Sequence, residues 1–220
     1  MNFMKEKSKL KMEYFSWLNK NQESHKSVIS DAIDSIYNVN SNQFDTTDVE
    51  NIQKGLELNH TICWALGEYV NKFAENDEVF VNLIKKLSKH SSSKVRLNII
   101  TNCLYNRPEK LTDNLLLKAL NDKSKKVRLK VADVILRLNK GNLSKNLFKR
   151  AEIETDNETK NTLIWTYDLI TKKWTYEAEW KCVRVHLKDG GVSGFYLKDG
   201  DDINDVDWIE KKVEEIRNEQ

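Results

Sequence analysis

Apolar residues along most of this chain recur at steps of three and four. Leu115, Leu116 and Ala119 form one such run, and Val127, Val131, Val134 and Leu138 form another. This spacing lays an apolar stripe along one side of a helix and leaves the opposite side polar. It predicts two helices near the N-terminus, around 12–18 and 28–37, followed by a polar connection, "NVNSNQFDTTD". From residue 46 the helical segments come in pairs. The first members read "DVENIQKGLEL", "NDEVFVNLIKKLSKH", "LTDNLLLKALND" and "LSKNLFKRAEI". Capping chemistry marks their starts, with Thr112 before Asp113, Asn76 before Asp77 and Glu78, and Ser144 before Lys145. Gly141 and Pro108 mark stops.

The second members carry a repeat. "SKHSSSKVRLNIITNCLY" from Ser88 aligns with "NDKSKKVRLKVADVILRL" from Asn121. "NHTICWALGEYV" fits the same frame, with Ile62, Trp64 and Leu66 against Val95, Leu97 and Ile99. "DNETKNTLIWTYDLI" fits less closely, with Leu163 against Leu129 and Thr162 in the place of the arginine. Four units of about 32 to 34 residues result. A lone helix pair cannot bury its apolar face, so such pairs stack on one another. The frame assigns Val95, Leu97, Val127 and Leu129 to buried positions. It gives Asp122, Arg96 and Arg128 a structural part in the turns.

Beyond residue 174 the period changes. "WKCVRVHL" alternates, "KDGG" supplies a turn, and "VSGFYLK" reads as a second strand. A helix then follows, with Val206, Ile209, Val213 and Ile216 on its stripe and Asp205 and Asp207 near its start. The predicted organisation is N-terminal helices over 1–45, repeats over 46–174, and a capping ββα piece over 175–220.

Asp122, Val127, Arg128 and Ala132, with Trp64, Ala65, Leu66 and Gly67 in the earlier unit, resemble the HEAT-repeat family. That family has an aspartate in the turn and a Val-Arg early in the second helix. The resemblance implies an all-α fold, a HEAT-like α-solenoid of stacked helix pairs to which the small hairpin and helix are added. The likeness covers about residues 46–173, and the units are shorter than the usual ~40.

Composition sharpens this picture. One proline and seven glycines in 220 residues favour helices, and six tryptophans and seven tyrosines tell against disorder. No apolar run reaches the roughly 20 residues that span a bilayer, and the start lacks a secretory apolar segment. Cys63, Cys103 and Cys182 are odd in number and far apart, which predicts free thiols in a reducing cytoplasm.

The net charge of +2 conceals segregation. Residues 31–80 hold ten acids against Lys54 and Lys72. Residues 81–150 hold eighteen lysines and arginines against Glu109, Asp113, Asp122 and Asp133. Residues 175–220 are acidic again, twelve against seven. Such patches steer partners.

Little of the usual site chemistry is present. Cys182 and His186 have a metal-like spacing but no second pair, so neither a metal nor a cofactor is expected. The glycines near 190–200 lack a phosphate-loop frame, and the 199–207 acidic run lacks the closing glutamate of a calcium loop. The candidate surface is the concave face of the second helices. Lys126, Lys130, Asp133 and Arg137 make one polar row, beside Lys94, Asn98, Thr101 and Tyr105 before it and Lys160, Ile164, Tyr167 and Thr171 after it. Lys94, Tyr105, Lys126, Lys130, Asp133, Arg137 and Tyr167 are the predicted binding residues.

These features predict a non-enzymatic, protein-binding scaffold, with an immunity-type inhibitor of a bacterial toxin as the specific expectation. The partner is then a protein such as a basic nuclease domain, with no membrane involved. The competing reading is nucleic-acid binding through the basic 81–150 segment. HEAT-like glycosylases for alkylated DNA bases are similar in plan, with a basic concave face and an aspartate beside tryptophans. Asp133 and Trp165 stand in comparable places, but that family's tryptophan-to-aspartate spacing is absent and no catalytic residue carries over.

Overall fold

The computed structural model describes residues 2–21, 24–38, 44–58, 60–73, 78–104, 107 and 109–219. They are mostly helical, with one small antiparallel sheet. The chain divides into two compact units, residues 1–115 and 116–220, and the division falls inside a helix.

The first unit contains α1 (Asn2–Asn21), α2 (Lys26–Ile36), α3 (Thr46–Leu58), α4 (His60–Phe73), α5 (Glu78–Leu87) and α6 (Ser93–Asn102), and receives the start of α7 (Glu109–Leu120). α2 packs on α3 and α4, and α6 packs on α3, α4 and α5. Each of α2 to α6 contributes apolar residues to the core. Ile29, Ile33, Ile52, Leu56, Ile62, Leu66, Ile84, Val95 and Ile99 are all fully buried. Gly67 lets α4 and α6 touch, because a Cβ there stands 2.6 Å from the Asn102 carbonyl oxygen. Tyr37 is buried whole and donates from Oη to the Ala65 carbonyl at 2.9 Å. Arg107 donates from Nη2 to the Val70 carbonyl at 2.7 Å, near the end of α4.

Two details of the frame change. Ile62 and Leu66 are buried, but Trp64 between them is 59% exposed. Leu97 and Leu129 are only half-buried, whereas Val95 and Val127 are fully buried. Two residues apart on a helix is about 200° of turn, so alternate positions cannot share a face. The buried set runs Val95 to Ile99 and Val127 to Val131 instead. α7 also begins two residues before Leu111, which places Thr112 inside the helix, not at its cap. Its hydroxyl lies 3.5 Å from the Leu104 carbonyl. Asn76, Asp77 and Pro108 lie outside the described residues.

The second unit holds the rest of α7, then α8 (Lys125–Arg137), α9 (Ser144–Ile153) and α10 (Asn157–Lys172), with a single 3₁₀ turn at Gly141–Leu143. α10 packs on both α8 and α9. Asp156 caps α10, accepting the Thr159 amide at 3.0 Å. The helix ends with Lys173 in the left-handed region, and the chain turns directly into a sheet.

That sheet has three strands, not two. β1 (Trp174–Glu177), β2 (Cys182–His186) and β3 (Val192–Tyr196) pair antiparallel in the order β1-β2-β3. Trp174 faces Val185 across the first pair, and Val185 faces Ser193 across the second. α11 (Val206–Asn218) covers one face, where Val183, Val185, Leu187, Ile209 and Val213 form a core. Asp205 caps α11 by accepting the Trp208 amide at 3.1 Å. The central strand is buried on its other face too, at Cys182 and His186.

The β2–β3 turn is fixed by Gly190, with φ of 88°. Its amide donates to the Leu187 carbonyl, and the Leu187 amide donates to the Gly191 carbonyl. This is a three-residue loop with one residue in the left-handed region. A Cβ at Gly190 stands 2.2 Å from the Arg137 carbonyl oxygen, so the hairpin tip sits against the end of α8.

Candidate functional site

The repeat arginines are held within the turns. Arg96 donates from Nη1 to the carbonyls of His90 and Ser91 at 2.7 and 2.8 Å. Arg128 donates from Nη1 to those of Asp122 and Lys123 at 2.9 and 3.3 Å. Both bonds go six and five residues back, so the Val-Arg motif closes its own turn in the two repeats that carry it. The residue that opens the turn does a second job. His90 Nδ1, Asp122 Oδ1 and Glu154 Oε1 accept the amides of Ser92, Ser124 and Asp156, two residues on in each case. The three positions are 32 apart, as are the starts of α6, α8 and α10 at 93, 125 and 157. This interval sets Lys160, not Thr162, opposite Arg128, and sets Trp165 opposite Asp133.

The side chain of Glu154 is fully buried. Arg128 donates to it from Nε at 2.7 Å and Nη2 at 2.9 Å, and Arg150 from Nη2 at 2.8 Å. The Arg128 guanidinium in particular holds its carboxyl down to about 2 against the opposing effect of burial, with help from the Asp156 amide and Arg150.

The predicted concave row divides. Asp133 lies between Lys130 at 2.5 Å and Arg137 at 3.2 Å, an ion triplet along α8. Lys126 is exposed at the start of the same helix. Lys94 donates from Nζ to the Glu57 carbonyl at 2.5 Å, and Asn98 donates to the Leu56 carbonyl at 3.0 Å. Both groups therefore cap the C-terminal turn of α3, where free carbonyls favour a cation. Thr101 bonds back to the Leu97 carbonyl of its own helix. Tyr105 lies outside the described residues. Tyr167 is half-buried, its ring 5.2 Å from that of Phe148 on α9. The row of the sequence frame is thus one charged stripe on α8, a helix-capping lysine on α6 and an aromatic pair on α9 and α10.

The thiols and the strand histidine are internal. Cys63, Cys103 and Cys182 are unpaired and buried. Burial pushes the Cys63 thiol up to about 12 and that of Cys103 still higher. His186 is buried, with Nε2 3.2 Å from the Leu136 carbonyl oxygen. Among the described residues no group of three or more His, Cys, Asp or Glu side chains could hold a metal ion. No described helix is long and apolar enough to cross a membrane.

The first unit carries a surface that the repeat frame does not mark. Glu13, Tyr14 and Trp17 of α1 and Thr61, Trp64 and Glu68 of α4 line a cavity of about 260 Å³. Tyr14 donates from Oη to Glu68 Oε2 at 2.9 Å, tying the two helices together. Burial and the Glu68 carboxylate raise the Tyr14 hydroxyl well above its ordinary value, so it remains a donor. The other Glu68 oxygen meets Lys72 at 2.9 Å. A second, polar cavity of about 250 Å³ is lined by Lys11, Asp31, Asp34, Ser35, Asn38, Asp48 and Asn51, and Lys11 and Asp34 pair within it at 2.5 Å.

No protein-family model, curated protein or solved structure matches this chain.

Proposed function

We propose that the chain is a non-enzymatic, HEAT-like helical-repeat protein that binds another protein, a basic one, in the manner of an immunity protein neutralising a toxin nuclease. The observation that carries this reading is Trp64. Trp64 is 59% exposed and lines a cavity with Trp17, Tyr14 and the carboxylates of Glu13 and Glu68. Aromatic side chains at a surface cavity are the usual anchors of protein interfaces, and carboxylates beside them favour a cationic group on the partner. The stacked-pair architecture is supported by the 32-residue interval and by the packing of α8 on α10 and of α4 on α6. Three buried, unpaired thiols accord with a reducing compartment such as the cytoplasm.

Tagged protein recovered from its source cells is expected to bring down a basic protein at equal stoichiometry. The two purified chains are expected to re-form the complex. The second reading, a nucleic-acid binder, rests on the exposed Lys126 and the basic 81–150 segment. It predicts duplex or RNA binding that weakens steeply with salt and is abolished by Lys126→Glu with Lys130→Glu. That result, with no reconstituted protein complex, replaces the first reading by the second.

A further inference from the structure

The cavity on α1 and α4 combines two chemistries. Trp17, Tyr14 and Trp64 supply π systems, and Glu13 and Glu68 supply carboxylates. A ring face attracts a cation, and the attraction strengthens where a carboxylate completes the charge. We propose that this cavity receives the guanidinium of an arginine on the partner protein, stacked on the indoles and forked onto Glu68 or Glu13. The proposal deepens the protein-binding reading and rests on it.

Three further observations agree. The carboxylates of the cavity already hold cations: Lys72 pairs with Glu68 at 2.9 Å and Lys9 with Glu13 at 3.8 Å. The same unit seats ammonium groups on rings elsewhere, with Lys7 Nζ 5.0 Å from the Tyr69 centroid and Lys11 Nζ 5.9 Å from that of Phe15. Room is sufficient as well, because about 260 Å³ accommodates an arginine head and its aliphatic stem. Lys72 leaves Glu68 at small cost, since it is an exposed lysine on a half-buried carboxylate one helical turn away. Arginine is favoured over lysine because a flat guanidinium stacks on an indole while its edge donates two parallel bonds to a carboxylate.

The test uses the full chain and short blocked peptides, Gly-Arg-Gly, Gly-Lys-Gly and Gly-citrulline-Gly, with tetramethylammonium as a free cation. Indole N–H resonances, assigned through Trp17→Phe and Trp64→Phe, report binding. The arginine peptide is expected to shift Trp17 and Trp64 saturably. Trp64→Ala is expected to weaken it about tenfold and Glu68→Gln about threefold. Both sites are at least partly exposed, and unchanged amide spectra elsewhere confirm that the variants fold. The citrulline peptide, equal in shape and uncharged, is expected to cause no shift. No saturable shift, or an equal one with citrulline, overturns the proposal. Tighter binding of lysine or tetramethylammonium overturns the arginine assignment. If the arginine titration fails while the purified partner still binds, the cavity proposal falls and the protein-binding reading stands. If the titration succeeds and no protein complex can be reconstituted, the protein source of the cation falls.

Discussion

Arg128 holds two turns at once. Its Nη1 closes the turn before α8, while Nε and Nη2 grip Glu154 in the turn before α10. Removing the carboxylate charge leaves two guanidinium groups facing a buried neutral amide. Glu154→Gln is expected to cost about 3 kcal/mol in urea unfolding, with Arg128→Lys costing less because one donor remains. The pair also has a pH signature. The folded carboxyl titrates near 2 against an ordinary 4.5. Below the ordinary value the unfolded chain takes up a proton that the folded chain refuses. The stabilisation is therefore complete above about pH 4.5 and disappears as pH falls towards 2. Stability measured through that window should fall less steeply in Glu154→Gln than in the wild type, and parallel curves would show that the carboxylate is not coupled to folding. Arg96 has the same turn bonds, and Arg96→Lys loses the fork on His90 and Ser91. A loss of about 1–2 kcal/mol is expected, read by the same unfolding measurement.

At the scale of elements, the sheet depends on contacts that neither strand makes alone. Gly190 meets the end of α8 with no room for a side chain and with φ of 88°. Gly190→Ala is expected to destabilise by about 2 kcal/mol or more, measured by thermal unfolding, while leaving the cavity on α1 and α4 unchanged in peptide titration. On β2, burial keeps the His186 imidazole neutral, with Lys173 and Arg217 adding to the effect and the Leu136 carbonyl opposing it. The unfolded histidine takes up a proton near its ordinary 6.5, whereas the folded one does so only at lower pH. Stability thus declines as pH drops below that ordinary value, and hydrogen exchange of β2 amides should accelerate there after correction for intrinsic rates. His186→Gln keeps a donor for Leu136 and should flatten the response. The sequence made the helices and β2, β3 and α11 legible, because each carries its own periodicity of 3.6 or 2. β1 was illegible for a physical reason. Its four residues, Trp174 to Glu177, are too short to show alternation convincingly, and they become a strand only by pairing with β2. The turn chemistry was half legible. Asp122 stood out as an acid in a turn, but its counterparts His90 and Glu154 share a role, not a residue type, and only the common amide two positions on reveals them.

The whole molecule presents charge unevenly, and the structure alters which part of that charge faces a partner. Part of the basic segment is engaged by other groups of the chain. Arg96 and Arg128 close turns, Lys94 caps α3, and Lys130 and Arg137 share Asp133. Two carboxylates, Glu13 and Glu68, instead line an open aromatic cavity. Sequence periodicity pointed to the first surface because a helix face repeats along the chain. It missed the second because Trp17 and Trp64 are 47 positions apart on helices with no shared register, and Trp64 sat in a frame position that looked buried. The two surfaces predict opposite mutational outcomes in one binding assay. In the reconstituted complex with a basic partner, Trp64→Ala removes an aromatic anchor and should weaken binding by tenfold or more, mainly through faster dissociation. Lys126→Glu with Lys130→Glu leaves that anchor intact and adds acid to a protein whose partner is basic. It should leave affinity within about twofold, with any gain appearing as faster association at low salt. Surface-sensor kinetics at two ionic strengths separate these cases. A large loss of affinity in the lysine pair, with Trp64→Ala neutral, moves the interface to α8 and away from the acidic stretch.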